Sequence, residues 1–256
     1  MNKTLIALVM FACPLAPAQG ILQPIFNAPP AAAGGPTLRG SCNAANYQPT
    51  GGISSCPLSV NPQVNDVVMV FVYTDSTGIT TYAANSGGCT ITWGTPQTSV
   101  VQHFMGITLG TVTGGGACTI SFTSTTATAN ANDIVALDWT TAIATFDPAT
   151  PGFATGGFGS PTSTSALTTT TNGDIACVVD YSINTSGSFS SLSFSDSTTV
   201  TTTPLNGLMS STAGDTAQGT IGLAYCGIQA TATTFHGIFT PTTANGDAVM
   251  IASIKQ

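Results

Sequence analysis

The chain has 256 residues, of which 42% are hydrophobic and only 5% charged, against roughly a quarter charged in ordinary soluble proteins. Its ten acidic residues are all aspartate, its basic residues are Lys3, Arg39 and Lys255, and its net charge is −7. That balance excludes electrostatic nucleic-acid binding, in which lysine and arginine displace phosphate counterions, and electrostatic docking on an anionic membrane.

Glutamate is absent and lysine and arginine are scarce, which removes strong helix formers, while threonine, a strand former, is abundant. The composition predicts an all-β fold. Residues 1–18 read as a signal peptide: Lys3 supplies the positive end, Leu5 to Cys13 the apolar stretch, and Ala16-Pro17-Ala18 a small-x-small cleavage site. An uncleaved anchor is disfavoured, because Pro14 and Pro17 interrupt the apolar run short of the roughly 20 residues a span needs. Acylation of Cys13 is disfavoured by bulky Phe11 beside it. Past the cleavage site no apolar run is long enough to span a membrane, so the expected location is secreted, at an extracellular surface.

Residues 19–57 read as an extended N-terminal arm rich in proline, alanine and glycine, in which Cys42 and Cys56 can close a small loop. The arm opens with Ile21, Leu22, Ile25 and Phe26, apolar side chains with nothing local to pack on. They either lie across their own sandwich or complete a sheet of a neighbouring subunit.

After the arm the sequence repeats. Asn65-Asp66 leads into an apolar run ending at Tyr73, and Gly173-Asp174 leads into one ending at Tyr181. Each half also closes alike, with Asn132-Asp133 before Ile134 to Trp139 and Gly246-Asp247 before Ala248 to Ala252. The organisation expected is a β-sandwich repeat over 58–140, a Gly/Pro linker over 141–164 and a second repeat over 165–256. Short strands are expected near 58–60, 66–73, 88–93, 99–109, 117–122 and 133–139. In the second half they fall near 166–169, 174–182, 189–194, 198–203, 217–228, 234–239 and 247–254. Glycine, asparagine, aspartate and serine clusters separate them at sandwich spacing. The unbroken runs Val67–Val72 and Ile134–Leu137 predict central strands covered on both faces.

Cleavage leaves Cys42, Cys56, Cys89, Cys118, Cys177 and Cys226, an even set without the close C-x-x-C pairs of a metal site. In an exported chain this predicts disulfides, with the connectivity left open. Cys177 in an opening strand and Cys226 in the long strand 219–228 are able to bridge within the second half; Cys89 and Cys118 then pair in the first.

The doubled G/N-D pattern, the segment Phe194-Ser195-Asp196-Ser197 with its counterpart Asn85-Ser86-Gly87-Gly88, and the closing strand Val249 to Lys255 carry a resemblance. Over about residues 58–256 the chain resembles the tandem jelly-roll-like β-sandwich modules of exported bacterial surface proteins and some phage virion proteins. The resemblance implies an architecture of two antiparallel sandwich halves and defines no functional residues.

Asp66, Asp133, Asp174 and Asp247 stand at strand mouths, where aspartate caps a turn through its own backbone. Asp75, Asp138, Asp147, Asp180, Asp196 and Asp215 are scattered. No sequence feature pairs two of them across a cleft as a glycosidase requires, and they lack the clustered spacing of a calcium loop, although one aspartate with backbone carbonyls can hold an ion. His103 and His236 occupy non-equivalent strands and read as packed or rim histidines. No G-x-S-x-G elbow or phosphate-cradling glycine loop is present. Trp93, Trp139 and Tyr73 make either a sugar-stacking platform or, more simply, one buried aromatic set per half. The function expected is non-catalytic: an extracellular structural or adhesive protein, a self-assembling filament or layer subunit. Alternatives are a phage virion component (tail, spike or decoration) and a carbohydrate-binding module. No catalytic, cofactor-binding or metal residues are expected, and partners are other copies of the chain or protein and glycan surfaces.

Overall fold

A computed structural model describes residues 36–46, 50–74, 78–99, 104–125, 132–141, 144–156, 162–183, 189–195, 200–201, 220–229, 231–241 and 247–255. Residues 1–18, read above as a signal peptide, and the apolar residues Ile21, Leu22, Ile25 and Phe26 lie outside the described residues, as do Asp75, His103, Asp196 and Asp215.

The described chain is all-β. In chain order the strands are β1 (Leu38–Asn46), β2 (Ile53–Pro57), β3 (Val67–Thr74), β4 (Ile79–Gly87), β5 (Thr90–Trp93), β6 (Gln97–Ser99), β7 (Phe104–Gly114), β8 (Cys118–Ser124) and β9 (Asn132–Trp139). They continue as β10 (Gly152–Gly156), β11 (Thr162–Ser163), β12 (Leu167–Thr168), β13 (Ile175–Ile183), β14 (Phe189–Phe194), β15 (Val200–Thr201), β16 (Thr220–Gln229), β17 (Thr234–Phe235), β18 (Gly237–Pro241) and β19 (Asp247–Ile254). A single 3-10 turn, Thr50–Gly52, is the described helical element.

Two five-stranded antiparallel paths dominate, β1-β9-β3-β7-β5 (with β6 also on β7) and β10-β19-β13-β16-β15. Smaller sheets run β2-β8-β4, β11-β18-β14 and β12-β17. Taking β10 for β1, β19 for β9, β13 for β3, β16 for β7 and β15 for β5 turns the first path into the second. The same substitution carries β2-β8-β4 into β11-β18-β14.

The register agrees residue by residue. Val67 pairs with Trp139 and Thr111, and Ile175 with Ile254 and Ile228. Thr140 donates its N–H to Thr37 as Lys255 does to Thr145. Leu38 lies opposite Trp139 as Phe146 lies opposite Ile254. Arg39 therefore matches Asp147, Asp66 matches Asp174, Val112 matches Gln229, Asp138 matches Ser253, and Tyr73 matches Tyr181. Asp247 falls opposite Ser182 as Asn132 falls opposite Thr74, so its partner in the repeat is Asn132, one residue away from the Asp133 that the sequence pattern suggests.

Alternation along each central strand feeds two different cores. On β3, Val68, Val70 and Val72 join Ile120, Phe122 and Ile134 beneath the β2-β8-β4 sheet. Met69, Phe71 and Tyr73 point the other way, into a core shared with Val179, Tyr181 and Met250 of the second five-stranded sheet. Behind that sheet, Val178, Val249 and Ile251 pack on Leu167, Phe194 and Phe235. Every residue of β3 and of β9 is buried, as their unbroken apolar runs require, whereas β8 alternates because only one of its faces is covered. Each fully buried side chain of this kind stabilises the fold by about 1.5–3 kcal/mol.

β1 and β2 fall within the segment read as an arm, and β10 and β11 within the segment read as a linker. Gly40, Ser41, Asn43 and Ala44 carry no apolar alternation; pairing with β9 orders them. The expected strand at 58–60 is displaced to β2, whose pattern buries Ser54 and Cys56 and exposes Ile53, Ser55 and Pro57.

Three disulfides form: Cys42–Cys56 joins β1 to β2 across two layers, Cys89–Cys118 ties the β4–β5 turn to β8, and Cys177–Cys226 links opposed residues of β13 and β16.

Candidate functional site

Both long central strands begin with the same device. Asn65 (φ 76°) and Gly173 (φ 86°) adopt the left-handed conformation. Asn65 donates its N–H to the carbonyl of Val112, whose own N–H returns to Asp66; Gly173, Gln229 and Asp174 repeat the pattern. This is a β-bulge whose first position calls for glycine or asparagine. The aspartate after it is then free to bind the preceding turn. Asp66 accepts the Gln63 N–H at 2.7 Å, and Asp174 accepts the Thr171 hydroxyl at 2.6 Å.

Each bulge heads a buried polar corner. Val67 and Trp139 point into the shared core, so Asp66 and Asp138 point to the opposite face of the sheet. In this first corner the Arg39 guanidinium meets Asp66 twice, Nε to Oδ2 at 2.5 Å and Nη2 to Oδ1 at 3.3 Å. The hydrogen bond to Asp66 raises the Arg39 pKa, opposed by burial and reinforced by the charges of Asp66 and Asp138. Asp138 is fully buried, and neither of its oxygens has a hydrogen-bond partner among the described residues. Burial pushes its pKa up to about 7 and the Asp66 charge adds to the rise, while Arg39 opposes it.

In the second corner Ile175, Cys226, Ala252 and Ile254 face the shared core, which turns Asp174, Gln229 and Ser253 to the other face. Asp147 occupies the position that Arg39 holds in the first corner. Its Oδ2 accepts the backbone N–H groups of Thr170 (2.7 Å) and Thr171 (2.9 Å) and both of their hydroxyls (2.9 Å), and its Oδ1 accepts the Thr170 hydroxyl (2.9 Å). The one Thr171 hydroxyl proton is shared between Asp147 Oδ2 and Asp174 Oδ1, which lies nearer at 2.6 Å. Burial pushes the Asp147 pKa up, but the bonds from the Thr170 backbone and from the Thr171 and Thr170 hydroxyls outweigh it and hold the group below the ordinary carboxylate range. Gln229 is fully buried and Ser253 nearly so; neither the carboxamide nor the hydroxyl has a hydrogen-bond partner among the described residues.

Elsewhere, a cleft of about 230 Å³ lies between Gly94, Thr95 and Leu109 on one side and Ala144 to Phe146 and Ala149 on the other; none of these side chains titrates. Tyr73 and Trp139 are core residues, each 1% exposed, and Trp93 lies half-buried over Gly110, so the three form no exposed platform. His236 places Nδ1 at 2.8 Å from the Thr164 carbonyl, and its backbone N–H donates to the Ser195 hydroxyl oxygen at 2.9 Å. Among the described residues no three His, Cys, Asp or Glu side chains gather at metal-binding distance, and no helix is long and apolar enough to cross a membrane.

Sequence reasoning read Asp66 and Asp174 as turn residues, which they are. It passed over Arg39, Thr170, Thr171, Gln229 and Ser253. The only local signal was the polar run Thr168 to Asp174, and it does not announce that Asp147 folds back onto it. No protein-family model, curated protein or solved structure matches the chain.

Proposed function

We propose that the chain is an exported, non-catalytic structural protein, with two tandem jelly-roll-like halves packed face to face, that self-associates as a subunit of an extracellular filament or layer. The observation that carries this reading is how its reactive groups are spent. Six cysteines are closed into three disulfides. Asp66 and Asp174, at matched positions of the corners, each bind the turn before their strand, and Asp147 binds the backbone of Thr170 and Thr171. Coincident strand orders support the paired halves, as does the meeting of matched residues: the Tyr73 and Tyr181 rings stack at 5.5 Å, an arrangement expected about a two-fold axis. The disulfides also fit an oxidising, extracellular setting.

Assembly has two physical supports. β1, β2 and β10 each end a sheet path, and an unpaired edge templates pairing with another chain. In sequence, a Pro/Ala/Gly-rich tether joins the apolar residues Ile21, Leu22, Ile25 and Phe26 to β1. Sizing and negative-stain imaging of mature protein at rising concentration test the reading, with polymers expected. Deleting residues 19–35 should abolish them and leave the far-UV circular dichroism unchanged. A mature protein that stays monomeric at high concentration overturns the proposal.

A phage virion role (tail, spike or decoration) is the second reading, supported by the same strand order because jelly rolls recur in virion proteins. The N-terminal sequence of native protein separates the two, since a retained Met1 contradicts export. A carbohydrate-binding role has less support, because Tyr73 and Trp139 are consumed by the core.

A further inference from the structure

The matched corners hold different chemistry. In the first, the cationic Arg39 guanidinium lies against Asp66, with Asp138 beside them. In the second, the exchanges at the Arg39 and Val112 positions remove the cation and add oxygen donors, while a hydroxyl stands in for a carboxylate at the third. Asp147 replaces Arg39, Gln229 replaces Val112, and Ser253 replaces Asp138. Asp147 and Asp174 flank one hydroxyl, that of Thr171, which lies 2.9 Å from Asp147 Oδ2 and 2.6 Å from Asp174 Oδ1. Two carboxyl groups that close require a proton or a cation between them.

We propose that this second corner binds a hard divalent cation, calcium, through oxygens of Asp147, Asp174, Gln229 and Ser253. The proposal stands apart from the assembly reading.

Three observations carry it. The first is the internal comparison, in which one copy of the corner supplies its own cation and the other supplies ligands. The second is Gln229, fully buried, with neither Oε1 nor Nε2 partnered among the described residues. The bulge sets it directly opposite Asp174 on the same sheet face, so its carboxamide is aimed into the corner. Buried carboxamides are nearly always hydrogen-bonded, and one left over calls for a ligand. The third is Ser253, 1% exposed, whose hydroxyl is likewise unpartnered among the described residues. Ser253 pairs with Ala176, two residues along β13 from Asp174 and on the same face.

The donor set selects the metal. All four candidates are oxygens, which suits calcium or magnesium and not zinc or copper. Asp147 Oδ2 is crowded by four donors, whereas Oδ1 accepts the Thr170 hydroxyl and keeps ligand capacity. Calcium tolerates an irregular shell of carboxylate, amide and hydroxyl oxygens, whereas magnesium demands a near-octahedral one and sheds its waters reluctantly.

The test uses the full mature protein with its disulfides intact, dialysed against chelator and titrated calorimetrically with calcium chloride. Saturable binding is expected, with a dissociation constant within the roughly 10⁻⁴–10⁻³ M range of extracellular calcium modules or tighter. The thermal midpoint should rise with calcium along the same curve and rise less with equal magnesium. Gln229→Leu and Ser253→Ala keep the carboxyl pair and should each weaken calcium binding about tenfold or more. Asp138→Asn, at the position matched to Ser253, should leave the affinity unchanged. The proposal is overturned if wild-type protein shows no saturable binding up to about 10 mM calcium, well above that range. Gln229→Leu binding like wild type, or Asp138→Asn abolishing the response, overturns it equally.

Discussion

Asp138 sits near the end of β9, with a like charge on Asp66 that raises its pKa and the Arg39 guanidinium opposing that rise. A carboxyl in that position is more easily accommodated protonated, and the sign of its linkage to stability follows. Its pKa is about 7 in the folded protein against 3.8 ordinarily. The folded state therefore binds the proton more tightly than the unfolded chain. Stability from this group is complete below about pH 4 and is lost as pH rises through about pH 7. At about 1.4 kcal/mol per pKa unit, the loss is on the order of 4 kcal/mol. Asp138→Asn should consequently stabilise the protein above about pH 7 and flatten its stability profile between about pH 4 and pH 8. Urea unfolding across that range checks it, and a variant with the wild-type slope sinks the assignment. None of this was legible in the sequence, where Asp138 is one scattered aspartate among six. Its surroundings are assembled from β1, β9 and the turn before β3, which a one-dimensional pattern does not bring together.

The bulge that opens β3 and β13 is an element that the sequence does announce. Asn65-Asp66 and Gly173-Asp174 stand out as a repeated pair because the first position needs a positive φ and the second needs a short acceptor for the turn behind it. At Asn65, glycine should be tolerated, changing stability by less than about 0.5 kcal/mol, since it enters the same conformation without a Cβ penalty. Gly173→Val should cost about 1–3 kcal/mol, the usual cost of a strained backbone at a branched residue. Thermal unfolding of the two variants checks this, and a neutral Gly173→Val would mean that the bulge is not needed to start the strand. Central strands were legible for a related reason: β3 and β9 are covered on both faces, so they read as continuous apolar runs. Edge strands were not. Apart from Leu38 and Phe153, β1 and β10 are built mostly of small and polar residues whose order comes from a partner strand, and by composition alone they resemble an arm and a linker. The disulfide between Cys177 and Cys226 was within reach because both cysteines fall in strands recognisable from their apolar content.

At the scale of the whole molecule the two five-stranded sheets do not own separate cores. Met69, Phe71, Ile107 and Leu137 from one and Val179, Met250 and Ile254 from the other belong to a single buried cluster, and the Tyr181 hydroxyl donates to the Phe71 carbonyl across it at 3.0 Å. Residues 35–256 accordingly behave as one compact unit despite the repeat. Unfolding either half strips the apolar face of the other, so neither half should persist alone once its partner melts. The protein should unfold in one cooperative transition under conditions that keep the disulfides closed. The tryptophans make this measurable. Both, Trp93 and Trp139, lie in the first half, so their fluorescence follows that half, while far-UV circular dichroism follows strands in both. The two signals should trace coincident denaturation curves. Met69→Ala, which opens a cavity on the first half's side of the shared core, should cost about 2–5 kcal/mol and shift both curves together. Were fluorescence to move while a later circular-dichroism transition stayed in place, the halves would be independent domains and the shared core would not couple them.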